Sequence, residues 1–97
     1  MEFGFANNDL IRLYTDPRYY GKYPPEVVEA FRRRVQQIAA AEDERVFYAL
    51  KSLHFEKLHG RDGQRSMRLN KQWRLIVEIQ SGEPKNSIAI IAIEDYH

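Results

Sequence analysis

Ninety-seven residues with a formal net charge of +1 and no cysteine allow one compact domain and exclude both a disulfide framework and a thiolate metal site. A chain that is 43% hydrophobic and 30% charged has the composition of a soluble globular protein, and no apolar stretch approaches the roughly 20 residues needed to span a bilayer. The N-terminal MEFGFANNDL lacks the basic and apolar regions of a secretory signal, so a cytoplasmic protein is expected.

Phe3 to Phe5 reads as a short first strand. Asn7 or Asn8 is suited to cap a helix carrying Leu10, Ile11, Leu13 and Tyr14, and Asp16-Pro17 should end it. In the loop RYYGKYPP, Tyr19, Tyr20 and Tyr23 alternate with Arg18 and Lys22. Such residues can stack on unpaired bases, but the simpler expectation is that the tyrosines clamp the loop onto the core. Pro24-Pro25-Glu26 then starts a second helix, because proline suits the first turn and an early acid suits the helix dipole. Val27, Val28, Phe31, Val35 and Ile38 form its apolar stripe. Arg33, Arg34, Gln36 and Gln37 fall largely off that stripe, so the Arg-Arg-Arg run reads as solvated helix surface. A further helical segment is expected after AAAEDE, with Val46, Phe47, Leu50 and Leu53 facing the core and its axis paired with the preceding helix.

From His59-Gly60-Arg61-Asp62-Gly63 onward the period changes from helical to alternating. With Asn70-Lys71-Gln72 as a hairpin loop, Leu69 faces Trp73 and Met67 faces Leu75, so the two apolar faces coincide. A two-residue loop would mismatch them. Ile88 to Ile93 is apolar on both parities, as expected of a central strand covered on both sides. The predicted layout is α+β: an N-terminal strand and two or three helices packed on a twisted antiparallel sheet.

Charge is distributed unevenly. Between Lys57 and Arg74 six cations (Lys57, Arg61, Arg65, Arg68, Lys71 and Arg74) face one acid, Asp62, a local charge of +5. The hairpin register sets Arg68 directly across from Arg74, and opposed like charges destabilise a sheet unless an anion lies between them. Phosphate fits, since the guanidinium fork matches its oxygens. The plainer alternative is that both arginines extend into solvent, capped by Glu78 or Glu94. Lys57, Arg61 and the glycine-bounded turn Gly60 to Gly63 could track further phosphates of a nucleic acid.

The chain closes with Glu94-Asp95-Tyr96-His97. RNA can be cleaved by activating its own 2′-hydroxyl, stabilising the charge that builds on the phosphoryl oxygens and protonating the leaving 5′-oxygen. On an extended strand Asp95 and His97 share a face and Tyr96 turns to the other. A carboxylate next to an imidazole favours the protonated ring, which suits a general acid. A three-histidine metal site from His54, His59 and His97 has poor support, because His54 and His59 lack the i, i+4 spacing of a helical pair. A nucleophilic triad lacks its serine elbow.

The segments NNDLIRLY, YPPEVVEAF, EKLHGRDGQRSMRLNKQWRLIVEI and EDYH together resemble the HigB type toxins of the RelE superfamily, from bacterial type II toxin–antitoxin modules. The likeness covers nearly the whole chain and is most specific in Ser66-x-Arg68-x-Asn70-x-x-Trp73-Arg74 and Asp95-Tyr96-His97. It implies a small RelE-like microbial ribonuclease fold and metal-independent, cofactor-free cleavage of mRNA in the ribosomal A site. It also implies neutralisation by a HigA-type antitoxin with a helix-turn-helix domain, through which operator DNA is contacted indirectly. Carried over, Arg68, Arg74, Asp95, Tyr96 and His97 occupy catalytic positions. Lys57, His59, Arg61, Arg65 and Lys71 are the expected RNA- or ribosome-binding set, and His54 falls where the family places a further functional residue. The segment LHFEKLHG is longer than the form LHPLKG of some members, and the near-neutral charge departs from the strongly basic character of many. The competing expectations are a ParE type toxin that binds gyrase without catalysis, and an RNA-binding relative that has lost cleavage.

Overall fold

The computed structural model describes residues 1–96, and His97 lies outside the described residues. In chain order the elements are β1 (Phe3–Phe5), α1 (Asn8–Thr15), α2 (Pro25–Ala40), α3 (Arg45–Ala49), a 3-10 turn (Lys51–Leu53), β2 (Glu56–Lys57), β3 (Gln64–Arg68), β4 (Trp73–Gln80) and β5 (Ser87–Asp95). The strands form one sheet in the order β1-β5-β4-β3-β2. The α+β layout is as expected, with one refinement: β1 runs parallel to β5 while the other neighbours are antiparallel, so the sheet is mixed. The physical reason is that the connection from β1 to β5 passes through the helices and three other strands, which lets the chain return in the same direction. Among the described residues no helix is long and apolar enough to cross a membrane.

Each early element follows from local chemistry. Asn7 is extended, and its side-chain oxygen accepts the Leu10 N–H at 3.0 Å, which starts α1. Pro25 opens α2 after the extended Pro24. The α2 stripe of Val27, Val28, Phe31, Val35 and Ile38 is fully buried, each side chain worth about 1.5–3 kcal/mol in area removed from water. These residues join Leu10, Leu13, Phe47 and Leu53 in a core against Met67, Leu69, Leu75, Val77, Ile88, Ile90 and Ile93 of the sheet. The helices therefore cover one sheet face.

Three expectations about the helices change. The main helix–helix contact is α1 with α2, rather than α2 with the segment after it. That segment is a single short helix tightening into a 3-10 turn, so the 3.6-residue stripe does not persist. Phe47 and Leu53 point inward, whereas Val46 and Leu50 are exposed. The Arg-Arg-Arg run is also not a uniform solvated surface: Arg33 is exposed, but Arg32 and Arg34 are half-buried. Arg32 donates to the carbonyls of Leu13 at 2.8 Å, Asp16 at 3.0 Å and Tyr19 at 2.9 Å. Carbonyls at and just beyond the end of α1 lack intrahelical partners, and a guanidinium fork supplies several donors at once. The tyrosine loop is clamped as expected, with Tyr19, Tyr20 and Tyr23 partly buried on the core.

The β3–β4 register is the one expected from the alternation, with Met67 opposite Leu75 and Arg68 opposite Arg74. Between β4 and β5 the register shifts: Ile76 faces Ala92 but Val77 faces Ile90, which leaves Ile91 as the extra residue of a bulge. Ile88 and Ile90 before the bulge and Ile93 after it are therefore all buried on the helix side. The shift also assigns the parity of everything downstream of residue 91.

Candidate functional site

Across the face away from the helices, the registers align Ser66, Ile76 and Ala92 in one row and Arg68, Arg74 and Glu94 in the next. Three strands thus bring two guanidinium groups and a carboxylate side by side. The β3–β4 turn that carries the arginines is built on Asn70, whose Oδ1 accepts the N–H groups of Gln72 and Trp73, each at 2.9 Å. This side-chain-to-backbone turn is the usual work of asparagine.

Arg68 is tied down from several directions. Its Nε donates to the Asn70 carbonyl at 3.3 Å, its Nη1 lies 3.3 Å from His54 Nε2, and its own carbonyl accepts the Arg34 Nε at 3.0 Å. His54 reaches this position from a left-handed backbone conformation (φ 48°) at the end of the 3-10 turn, which costs about 1–2 kcal/mol for an L-residue. Arg34 is half-buried, and its pKa is lowered by desolvation and then by the neighbouring Arg33 charge. Its bonds to the Arg68 carbonyl and to Gln37 Oε1 at 3.1 Å hold that cation in place.

Arg74 is placed differently. Its guanidinium lies 4.7 Å from the centre of the Tyr96 ring, and its Nη1 is shielded from solvent with no hydrogen-bond partner among the described residues. A buried guanidinium N–H without an acceptor is costly. Glu94, directly across from Arg74, does not cap it: its carboxylate pairs with Arg61 Nη1 at 3.1 and 3.2 Å. Glu94 therefore goes to Arg61, and among the described residues no ion pair joins Glu78 or Glu94 to Arg68 or Arg74. An anion with several oxygens would satisfy both the opposed charges and the unpaired donor.

The tail divides between the two faces. Asp95 pairs with Trp73 in the ladder and so has the parity of the helix side, opposite to Arg74, while Tyr96 lies over Arg74. Asp95 Oδ2 accepts from Gln72 Nε2 at 3.0 Å, and the Tyr96 N–H bonds to the Gln72 carbonyl at 2.6 Å. His97, the remaining tail residue singled out, lies outside the described residues.

The wider basic set does not gather in one place. Lys57 pairs with Arg65 across β2 and β3, on the parity opposite to Arg68, and Arg65 Nε donates to the Tyr48 hydroxyl at 3.1 Å. Lys57, Arg61 and Arg65 do share a shallow pocket of about 140 Å³ around the turn containing Gly60 and Gly63, both with positive φ. His59 is exposed in that turn, and Lys71 is exposed at the tip of the β3–β4 hairpin. A cleft of about 520 Å³ runs along β1 and β5 past Gly4, Ser87 and Ala89, and its described lining includes neither arginine of the pair. An open sheet face suits an extended polymer better than a small molecule, which favours enclosed sites.

Sequence reasoning missed Gln72 and Arg34. Gln72 bonds to Asp95 and Arg34 to the Arg68 carbonyl, partners distant in sequence, and no local pattern announces such contacts. The family model for the RelE-like toxin of the type II toxin–antitoxin system HigB matches residues 3–97. No individual curated protein matches the chain.

Proposed function

The chain belongs to the HigB-like family of RelE-like toxins from type II toxin–antitoxin systems, and from that premise we propose that it is a ribosome-dependent, metal-independent mRNA endoribonuclease. A toxin of such a module has an antitoxin partner; we assign it a HigA-type protein whose helix-turn-helix domain, rather than the toxin, contacts operator DNA. The site of action is mRNA in the ribosomal A site, and hence the cytoplasm.

The observation that carries the reading is the arginine row, in which Arg68 and Arg74 face each other while Arg74 Nη1 is buried without an acceptor among the described residues. A scissile phosphate supplies the missing acceptor, and both guanidinium groups neutralise the charge that grows on its non-bridging oxygens. The RNA 2′-oxygen attacks phosphorus as its proton passes to a base. A 2′,3′-cyclic phosphate forms, and the 5′-oxygen leaves with a proton from an acid. Asp95 and His97 carry these two proton transfers, and Tyr96 stacks beside Arg74 to orient the reacting nucleotide. Arg61, Arg65, Lys57, His59 and Lys71 bind flanking RNA or ribosome, a contribution that weakens with salt.

Primer extension on a defined mRNA in a translation extract tests this. Cleavage by the wild type is expected on translating ribosomes, with little on naked RNA, and Arg74→Ala and deletion of His97 should each reduce it by at least two orders of magnitude, in line with loss of a transition-state donor or an acid. Undiminished cleavage by both variants would overturn the assignment. Inhibition of DNA supercoiling without mRNA cleavage would point instead to a gyrase-binding toxin.

A further inference from the structure

Gln72 closes the β3–β4 turn and touches the tail twice. Its carbonyl accepts the Tyr96 N–H, and its side-chain amide donates to the Asp95 carboxylate. Its own position is set by Asn70, whose Oδ1 holds the Gln72 N–H. The β4–β5 ladder ends at the Trp73–Asp95 pair, so Tyr96 lies past regular strand pairing. The stacking of Arg74 on Tyr96 involves an exposed ring, and by itself such a contact favours the docked arrangement only roughly two- to fivefold. The bond from Gln72 to the Asp95 carboxylate, also exposed, adds at most roughly tenfold. The Tyr96 N–H bond to the Gln72 carbonyl is made by backbone, so the amide–carboxylate bond is the tail contact that a change of the Gln72 side chain removes.

We propose that Gln72 is a positioning residue: its side-chain amide latches the tail at Asp95 onto the arginine hairpin, so that Tyr96 stays over Arg74 at the phosphate-binding row. This rests on the ribonuclease reading above. It also explains why Asp95, on the parity opposite to Arg74, belongs to the same working unit as the arginines: one glutamine spans the end of the sheet and joins the two faces. Asp95 thereby serves as an anchor for the tail in addition to any proton it carries.

Three variants test the latch. Gln72→Met keeps the length and removes the donor, Gln72→Lys restores a donor for the carboxylate, and Asp95→Ala removes the acceptor. Cleavage on programmed ribosomes by Gln72→Met should show kcat reduced roughly tenfold with KM changed by less than about twofold, because Arg68 and Arg74 still hold the phosphate. Gln72→Lys should recover most of the loss. In the Asp95→Ala background, Gln72→Met should cost little more, since the acceptor of the Gln72 amide is already gone. An activity-independent readout is the NMR resonance of the Arg74 side chain, which the Tyr96 ring shifts and which should move toward its free position in Gln72→Met. Wild-type kcat with an unmoved Arg74 resonance would overturn the latch, as would equal losses in the Met and Lys variants or fully multiplicative losses with Asp95→Ala. An inactive wild type whose Arg74 resonance still depends on Gln72 would support the latch and overturn only the reaction assigned above.

Discussion

Replacing Asn70 with alanine removes the acceptor that organises the arginine hairpin. In the folded protein Asn70 Oδ1 takes two backbone N–H groups, from Gln72 and Trp73, both at 2.9 Å. Each such bond contributes about 0.5–1.5 kcal/mol net, so the pair is worth about 1–3 kcal/mol. The turn is half-buried, and water can reach part of what alanine leaves unsatisfied, which favours the lower half of that range. For a domain of this size a loss of about 1–2 kcal/mol lowers Tm by roughly 4–16 °C. Asn70→Asp keeps a side-chain oxygen in the same place and should recover most of the loss, which separates the acceptor from side-chain volume. Urea unfolding followed by tryptophan fluorescence suits the measurement, because Trp73 is itself one of the two donors. A wild-type midpoint for Asn70→Ala, or equal destabilisation by alanine and aspartate, would refute the reasoning.

Arg32→Ala should destabilise the protein by about 2–3 kcal/mol, because three carbonyls of Leu13, Asp16 and Tyr19 lose one shared cationic donor; Arg32→Lys should recover only part of this in denaturant titrations, since a point charge cannot fork to three acceptors. Asp43 is gripped by Arg45, with side-chain bonds at 2.9 and 2.7 Å and a backbone bond at 2.9 Å, and its pKa is lowered to about 2, first by the Arg45 side-chain bond. A carboxyl depressed in the folded state contributes stability that is complete above its unfolded pKa of about 4 and is lost as pH falls toward 2. The unfolding midpoint of Asp43→Asn should accordingly be less sensitive to pH than that of the wild type between about pH 4 and 2, and identical slopes in that window would refute this.

The legible parts of the site were those fixed by short-range rules. The opposition of Arg68 and Arg74 follows from matching apolar faces on either side of Asn70-Lys71-Gln72, and the observed register agrees. The α2 stripe and the Asn7 cap were equally readable, because capping and helical period act within a few residues. Val46 and Leu50 were misplaced for the complementary reason: they fit a helical period, but the helix ends after one turn, and only packing around Phe47 and Leu53 decides which residues go inside.

By itself the sequence determined the α+β order of elements, the arginine row, and a family whose match extends over residues 3–97. Tertiary structure alone decided how the tail meets that row. Alternation along Ile88 to Asp95 gives a parity only if the ladder is unbroken, and the extra residue at Ile91 resets it, so that Glu94 joins the arginine face and Asp95 the face of Trp73. Because β-strand side chains alternate with a period of two, one inserted residue exchanges the faces of everything after it. The contacts that then join the faces, Gln72 to Asp95 and Tyr96 over Arg74, link residues 22 and 23 positions apart in the chain, and they exist only once the sheet has folded.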